Sequence, residues 1–266
     1  MIELTNFLAQ ASYYYGGNND FFYGAHGATP GMYSGVTLIG LALVLIAAVI
    51  GGIVQMGLKN AFNRYSQEPA PLTGAETARR MLRQNGLADV QVISTPGRLT
   101  DHYNPLDRTV NLSESVYNEA SVAAMAVAAH ECGHAVQHAE SYPWLGLRSA
   151  LVPMVNLGSR LGQIILICGL GLLALGSSTT VAWIGLALYA TTTLFAFVTL
   201  PVEFNASRRA MSWLEQSGLA SRAMHGQAGS ALRWAAMTYV AAALSSLAML
   251  LYYALILLSR ANNNRD

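Results

Sequence analysis

The sequence predicts a mainly α-helical integral membrane protein, with about four transmembrane helices and a small α+β subdomain on the cytoplasmic side. Three observations carry that expectation. Hydrophobic residues make up 53% of the 266-residue chain and charged residues only 11%, a balance outside that of ordinary soluble domains. The apolar residues gather into long uncharged runs, of the kind a helix needs to cross a hydrocarbon core of ~30 Å. Most of the charges fall instead in one internal stretch, residues 60 to about 145, where helix and strand patterns alternate.

Taken in order, residues 1–34 are rich in Gly, Asn and Tyr and lack the basic n-region of a signal peptide, so a flexible extracytoplasmic tail is expected there rather than a cleaved leader. Residues 35–58 hold the clearest span, "GVTLIGLALVLIAAVIGGIVQMGL". Two further runs, Leu161 to Leu175 and Val181 to Leu200, flank the turn "GSSTT" and read as a transmembrane hairpin within 149–200. The first of these is short, so Arg160 must snorkel or its helix must end shallow. Residues 201–233 read as a cytoplasmic helix, 234–258 as the fourth span, and 259–266 as a polar C-terminus. Lys59, Arg64, Arg79, Arg80 and Arg83 all follow span one, and no Lys or Arg precedes it. The positive-inside rule therefore places the segment between spans one and two in the cytoplasm of a multi-pass cell-membrane protein, and the "GSSTT" turn outside.

Residues 59–148 form the cytoplasmic subdomain. "TGAETARRMLRQNGL" opens with Thr73 as N-cap and Glu76 at capping-box spacing, and stops at Gly86. "DVQVIST" and "RTVNLS" alternate as strands do, and "PGRLTDHYNPLD" between them is dense in turn formers, so a small hairpin or sheet edge is expected. Ser121 to Ala139 is alanine-rich and free of proline, hence helical by propensity. Cys132 and Cys168 are the only cysteines and imply no disulfide framework. A net charge of +1 and the lack of a basic cluster with interleaved aromatics set nucleic acid aside as a partner.

The predicted 121–139 helix carries "AVAAHECGHAVQHAE", with three histidines and two glutamates between residues 130 and 140. His130 and His134, four apart, stand on one helix face with rings able to reach one metal ion. Glu131 completes the pattern His-Glu-x-x-His, in which two imidazoles bind zinc and the glutamate activates a water that fills the metal's shell. The competing reading is an ordinary surface helix. Its neighbours here are alanine and valine, and burying these groups without partners costs several kcal/mol.

A third protein ligand is required, and two candidates compete. His138 continues the series, but each four-residue step rises ~6 Å, so it is read as a packing or supporting residue. Glu203, in "TLPVEFNASRRA", follows the hairpin, and a hairpin that leaves and re-enters on one side returns residue 203 close to residue 145. In the 96–107 loop, His102 and Tyr103 are candidate substrate or oxyanion contacts, with simple loop hydrogen bonding as the alternative.

The ordered set "LTGAETARRMLRQNGL", "LTDHYNP", "LSESVYNEASVAAMAVAAHECGHAVQHA", "LRSALVPMVNLGS" and "TLPVEFNASRRA" resembles the YugP-type membrane zinc metallopeptidases, and more distantly the HtpX-type and CAAX-prenyl-protease-type enzymes. The resemblance runs from about residue 60 to 258 and implies a zincin-like subdomain. It also implies one Zn²⁺ per chain on His130, His134 and Glu203, with Glu131 as catalytic acid/base. Cys132 departs from the small residue usual in the nearer family, and Ser207 from the aspartate that orients a zinc histidine in the wider group. The expected function is a membrane-embedded zinc endopeptidase that hydrolyses protein or peptide substrates at the cytoplasmic membrane face, with the lipid bilayer as its other partner. A non-catalytic zinc scaffold and a site-2-type intramembrane protease are the alternatives.

Overall fold

The computed structural model describes residues 35–174 and 179–263. The expected tail over 1–34, most of the "GSSTT" turn and residues 264–266 lie outside the described residues. The chain is mainly helical: α1 (Gly35–Tyr65), α2 (Gly74–Gln84), β1 (Gln91–Thr95), β2 (His102–Asn104), β3 (Thr109–Ser113), α3 (Glu114–Asn118), α4 (Val122–Ala139), α5 (Pro143–Ala174), α6 (Thr180–Gln216) and α7 (Arg222–Asn263). Four of these, α1, α5, α6 and α7, are long and apolar enough to cross a membrane. It divides into two compact units. One holds Ile53–Gly146 and Thr199–Tyr239, and the other the described parts of Ser12–Gly52, Leu147–Val198 and Val240–Asp266.

In the second unit, Leu166 of α5, Leu186 of α6 and Leu257 of α7 are buried together. The Thr193 and Ser246 hydroxyls meet at 2.7 Å, the kind of interhelical bond that serves where water is scarce. Ile39, Ile46, Ile164, Ile184 and Leu194 are exposed, large apolar side chains that suit hydrocarbon rather than water. The helices outrun the apolar runs that announce them. α5 begins at Pro143, well before Leu161, and carries Pro153 inside it. α6 passes through Pro201 without a break and has 37 residues, ~55 Å at 1.5 Å per residue. The segment from Thr199 that carries Glu203 is therefore the end of the third span's own helix.

The first unit is built from α2, the sheet, α3 and α4, with the ends of α1, α6 and α7. Thr73 caps α2 as its spacing predicts: its Oγ1 accepts from the Glu76 N–H at 3.2 Å, and Glu76 Oε2 accepts from the Thr73 N–H at 2.9 Å. The helix closes where Gly86, at φ +73°, turns the chain so that the Leu87 N–H reaches the Leu82 carbonyl at 2.9 Å and the Gly86 N–H that of Arg83 at 3.1 Å, a Schellman ending.

The sheet differs from the expected hairpin. Its order is β1-β3-β2. β1 and β3 run parallel, with Val92 opposite Val110, and the intervening loop supplies β2, antiparallel to β3 with Tyr103 opposite Val110. A connection of a dozen or so residues is long enough for a parallel crossover and too long for a tight turn. β3 is buried along its whole length, so it takes the centre and needs a partner on each edge. Beneath it, Met81 and Leu82 of α2, Leu112 of β3 and Met125 of α4 share one core, each worth about 1.5–3 kcal/mol of burial.

Candidate active site

Ser121 starts α4 by accepting the Ala124 N–H on its Oγ at 3.2 Å, and the helix then runs unbroken through the motif. Its core face, Met125, Ala129, Cys132 and Val136, is packed away. Cys132 belongs to that packing: its Sγ lies 3.6 Å from the Ala78 carbonyl, and burial, with the Glu131 charge, raises its thiol well above the ordinary range.

His130 and His134 stand one turn apart with ring centroids 4.9 Å apart and nearly perpendicular. α6 crosses close by at Gly133, where a Cβ would lie 2.6 Å from the Ala206 carbonyl oxygen. A side chain at 133 would hold the helices apart, and its absence lets Glu203 reach the histidines. Glu203 Oε2 is 3.3 Å from His130 Nε2 and 3.5 Å from His134 Nε2. Bonds of 2.0–2.1 Å to a tetrahedral ion set ligand atoms ~3.4 Å apart, so these two separations fit zinc. His130, His134 and Glu203 each offer a donor atom, all within 4.8 Å of one another. Among the described residues no fourth His, Cys, Asp or Glu joins them.

Glu131 lies beside this group, buried, and its Oε2 has no hydrogen-bond partner among the described residues. Burial pushes its carboxyl up to about 7, with the negative charges of Asp101 and Glu203 adding to the effect and His130 and the Tyr103 backbone N–H opposing it. An orphaned carboxylate oxygen with a proton affinity near neutrality is the property wanted of a general base. Asp101 is itself held by the Ser113 N–H at 2.7 Å and hydroxyl at 3.0 Å, and burial raises its carboxyl too.

The remaining expected residues fall at different distances from this centre. Ser207 Oγ is 3.1 Å from His130 Nδ1, the position from which a side chain orients a ligand imidazole. His138 stands outside the cluster of three, its Nδ1 2.9 Å from the Tyr103 hydroxyl. Tyr103 is buried, which raises its phenol, and its hydroxyl is engaged by His138. His102, partly exposed, has Nδ1 2.7 Å from the Thr100 carbonyl and must donate there. Three residues that the motif did not announce also belong here: Gln137, Asn205 and Asp101. Gln137 was the most legible, because it is three residues beyond His134 and so on the same helix face.

A relative from Bacillus subtilis (strain 168), described as "Putative membrane protease YugP", is 42% identical over 224 residues, which cover 84% of this chain and 98% of the relative. No solved structure gives a significant match. The family described as "Putative neutral zinc metallopeptidase" matches residues 40–258, a range that spans well over half the chain and includes His130, Glu131, His134 and Glu203, and the chain belongs to that family.

Proposed function

We propose that this protein is a membrane-embedded zinc endopeptidase that hydrolyses protein or peptide substrates at the cytoplasmic membrane face. The observation that carries the reading is the convergence of His130, His134 and Glu203 from two helices beside the buried, unpartnered Oε2 of Glu131. His130 and His134 would hold one Zn²⁺ per chain through Nε2 and Glu203 through Oε2. When bound, zinc supplies the positive charge that polarises a scissile carbonyl and acidifies water. Glu131 accepts the proton of the attacking water and returns it to the leaving amine. Of the two loop candidates, His102 is the partly exposed one and Tyr103 is buried, and His102 is assigned to the developing oxyanion or the substrate. The three-donor set, with no fourth protein ligand among the described residues, favours a catalytic over a structural site. The cytoplasmic assignment rests on the Lys and Arg that follow span one. The membrane and protease parts of the reading are supported by the B. subtilis relative's description as a putative membrane protease.

The test is proteolysis by purified protein in detergent against an unfolded, membrane-associated substrate. Wild type should cleave, a chelator should stop it, and zinc should restore it. Glu131→Gln should keep its zinc and lose 10²–10⁴-fold in rate. Equal cleavage by wild type and the Gln variant would overturn the assignment.

A further inference from the structure

We infer that Gln137 is a positioning residue that fixes the tautomer of His134, and that its own amide is oriented by a chain of hydrogen bonds reaching the surface at Arg209. The inference rests on the zinc reading above. Gln137 is completely buried, one turn beyond His134. One end of its amide lies 3.0 Å from His134 Nδ1. The other lies 2.8 Å from the Val202 carbonyl and 2.9 Å from Asn205 Oδ1.

An amide can be turned end for end, so its orientation has to be argued from neighbours that cannot. The Val202 carbonyl only accepts. The Arg209 guanidinium only donates, and its Nε is 2.7 Å from the Asn205 amide, which must therefore present its oxygen to Arg209. That same oxygen faces Gln137. Arg209 is held in turn by Glu140, Nη2 to Oε2 at 2.6 Å. Gln137 thus meets two acceptors at one end and has to place its NH₂ there. Its oxygen is left facing His134, Nδ1 must carry the proton, and the Nε2 lone pair is directed at the position shared with Glu203.

No such deduction is available for the other histidine. Ser207 is a hydroxyl, which either donates or accepts, so it supports His130 without choosing its tautomer. A carboxylate at 137 would also accept from Nδ1–H, but it would add a further buried carboxylate beside Glu131 and Glu203 and would have nothing to donate to Val202. Among the common side chains, only an amide supplies an acceptor and donors at one terminus without charge. The relay also joins α4 to α6 at Val202, Asn205 and Arg209, the turns that carry Glu203. The same contacts that choose the tautomer set the spacing of the two ligand helices.

The test uses the full-length protein in detergent, with zinc affinity read by competition with a chromophoric chelator and the ring of His134 by ¹⁵N-histidine NMR on the metal-free form. Wild type should show His134 as the Nδ1–H tautomer. Gln137→Met should lose that signature and bind zinc 10–100-fold more weakly, the usual cost of removing a partner of a ligand histidine. Asn205→Asp keeps an oxygen for both Gln137 and Arg209, and it should retain the tautomer. If Gln137→Met does not fold, Gln137→Glu takes its place: it keeps the acceptor for Nδ1–H and should keep the tautomer while weakening zinc. Unchanged affinity and tautomer in the Met variant would overturn the inference, as would loss of the tautomer in the Glu variant. A wild type that binds no zinc overturns the functional reading instead, and the tautomer measurement still stands by itself.

Discussion

Replacing Glu131 with Gln is predicted to remove a loss of stability that the metal-free protein suffers between pH 5 and pH 8, in addition to its proposed effect on catalysis. The Glu131 carboxyl is pushed by burial from 4.5 to about 7. An unfolded chain releases this proton near 4.5, and the folded protein keeps it until about 7. Between those values the folded state binds more protons, so stability falls as pH rises through the window. The difference of 7 − 4.5, at ~1.36 kcal/mol for each pH unit, amounts to on the order of 3 kcal/mol lost by pH 8. Glutamine has no proton to lose. Its buried amide contributes a constant offset that does not change with pH. The signature is therefore a difference between variant and wild type that shifts in the variant's favour from pH 5 towards pH 7 and levels off by pH 8. Urea or thermal unfolding of chelator-treated protein across that range measures it. Saturating zinc should shrink the gap, because a cation beside Glu131 offsets the cost of its buried charge. A difference that stays flat from pH 5 to pH 8 would refute the argument that burial of an ionised carboxylate is what the active site imposes on the fold.

Glu203→Ala is predicted to lose stoichiometric zinc, measured by metal analysis of the purified protein, whereas His138→Ala should keep it and lose about 1 kcal/mol of stability with the Tyr103 hydrogen bond. Equal zinc loss in the two would sink the assignment of the third ligand. Gly133→Ala places a methyl 2.6 Å from the Ala206 carbonyl oxygen; it should cost about 1–3 kcal/mol and weaken zinc by moving α6, and a variant with wild-type melting and affinity would show that the close approach is dispensable. A reporter fused after residue 70 should register as cytoplasmic and one in the "GSSTT" turn as external, with the opposite pattern defeating the positive-inside argument.

What could be read in the sequence is what depends on neighbours along the chain. The α2 cap needs only Thr73 and Glu76, its ending only Gly86, and the two histidines of one helix face only their spacing of four. The sheet escaped because its pairing is set by burial. β3 needs partners on both sides, and nothing local distinguishes a parallel β1 from an antiparallel one. β2, with three residues inside a loop, is too short to show a period. Helix ends escaped for a related reason. Charged residues mark where hydrocarbon stops, but a helix continues wherever its polar side chains find partners in protein, as α6 does from Glu203 to Arg209.

The meeting of α4 with Glu203 was legible in part, and the missing part is instructive. The order of the segments says that residue 203 returns towards α4, which makes contact feasible without making it close. Closeness comes from Gly133, inside the motif and facing the Ala206 backbone, and from Gln137, whose amide spans from His134 to the turns that carry Glu203. Neither residue donates to the three-atom cluster, so a search for ligands passes over both. Both lie on α4 within four residues of His134, at 133 for the space a side chain would fill and at 137 for the bonds a side chain must make. On the proposed zinc reading, α4 and α6 can share one ion only with both properties, since proximity without the amide leaves His134 free to turn, and the amide without proximity has no carbonyl at Val202 to hold.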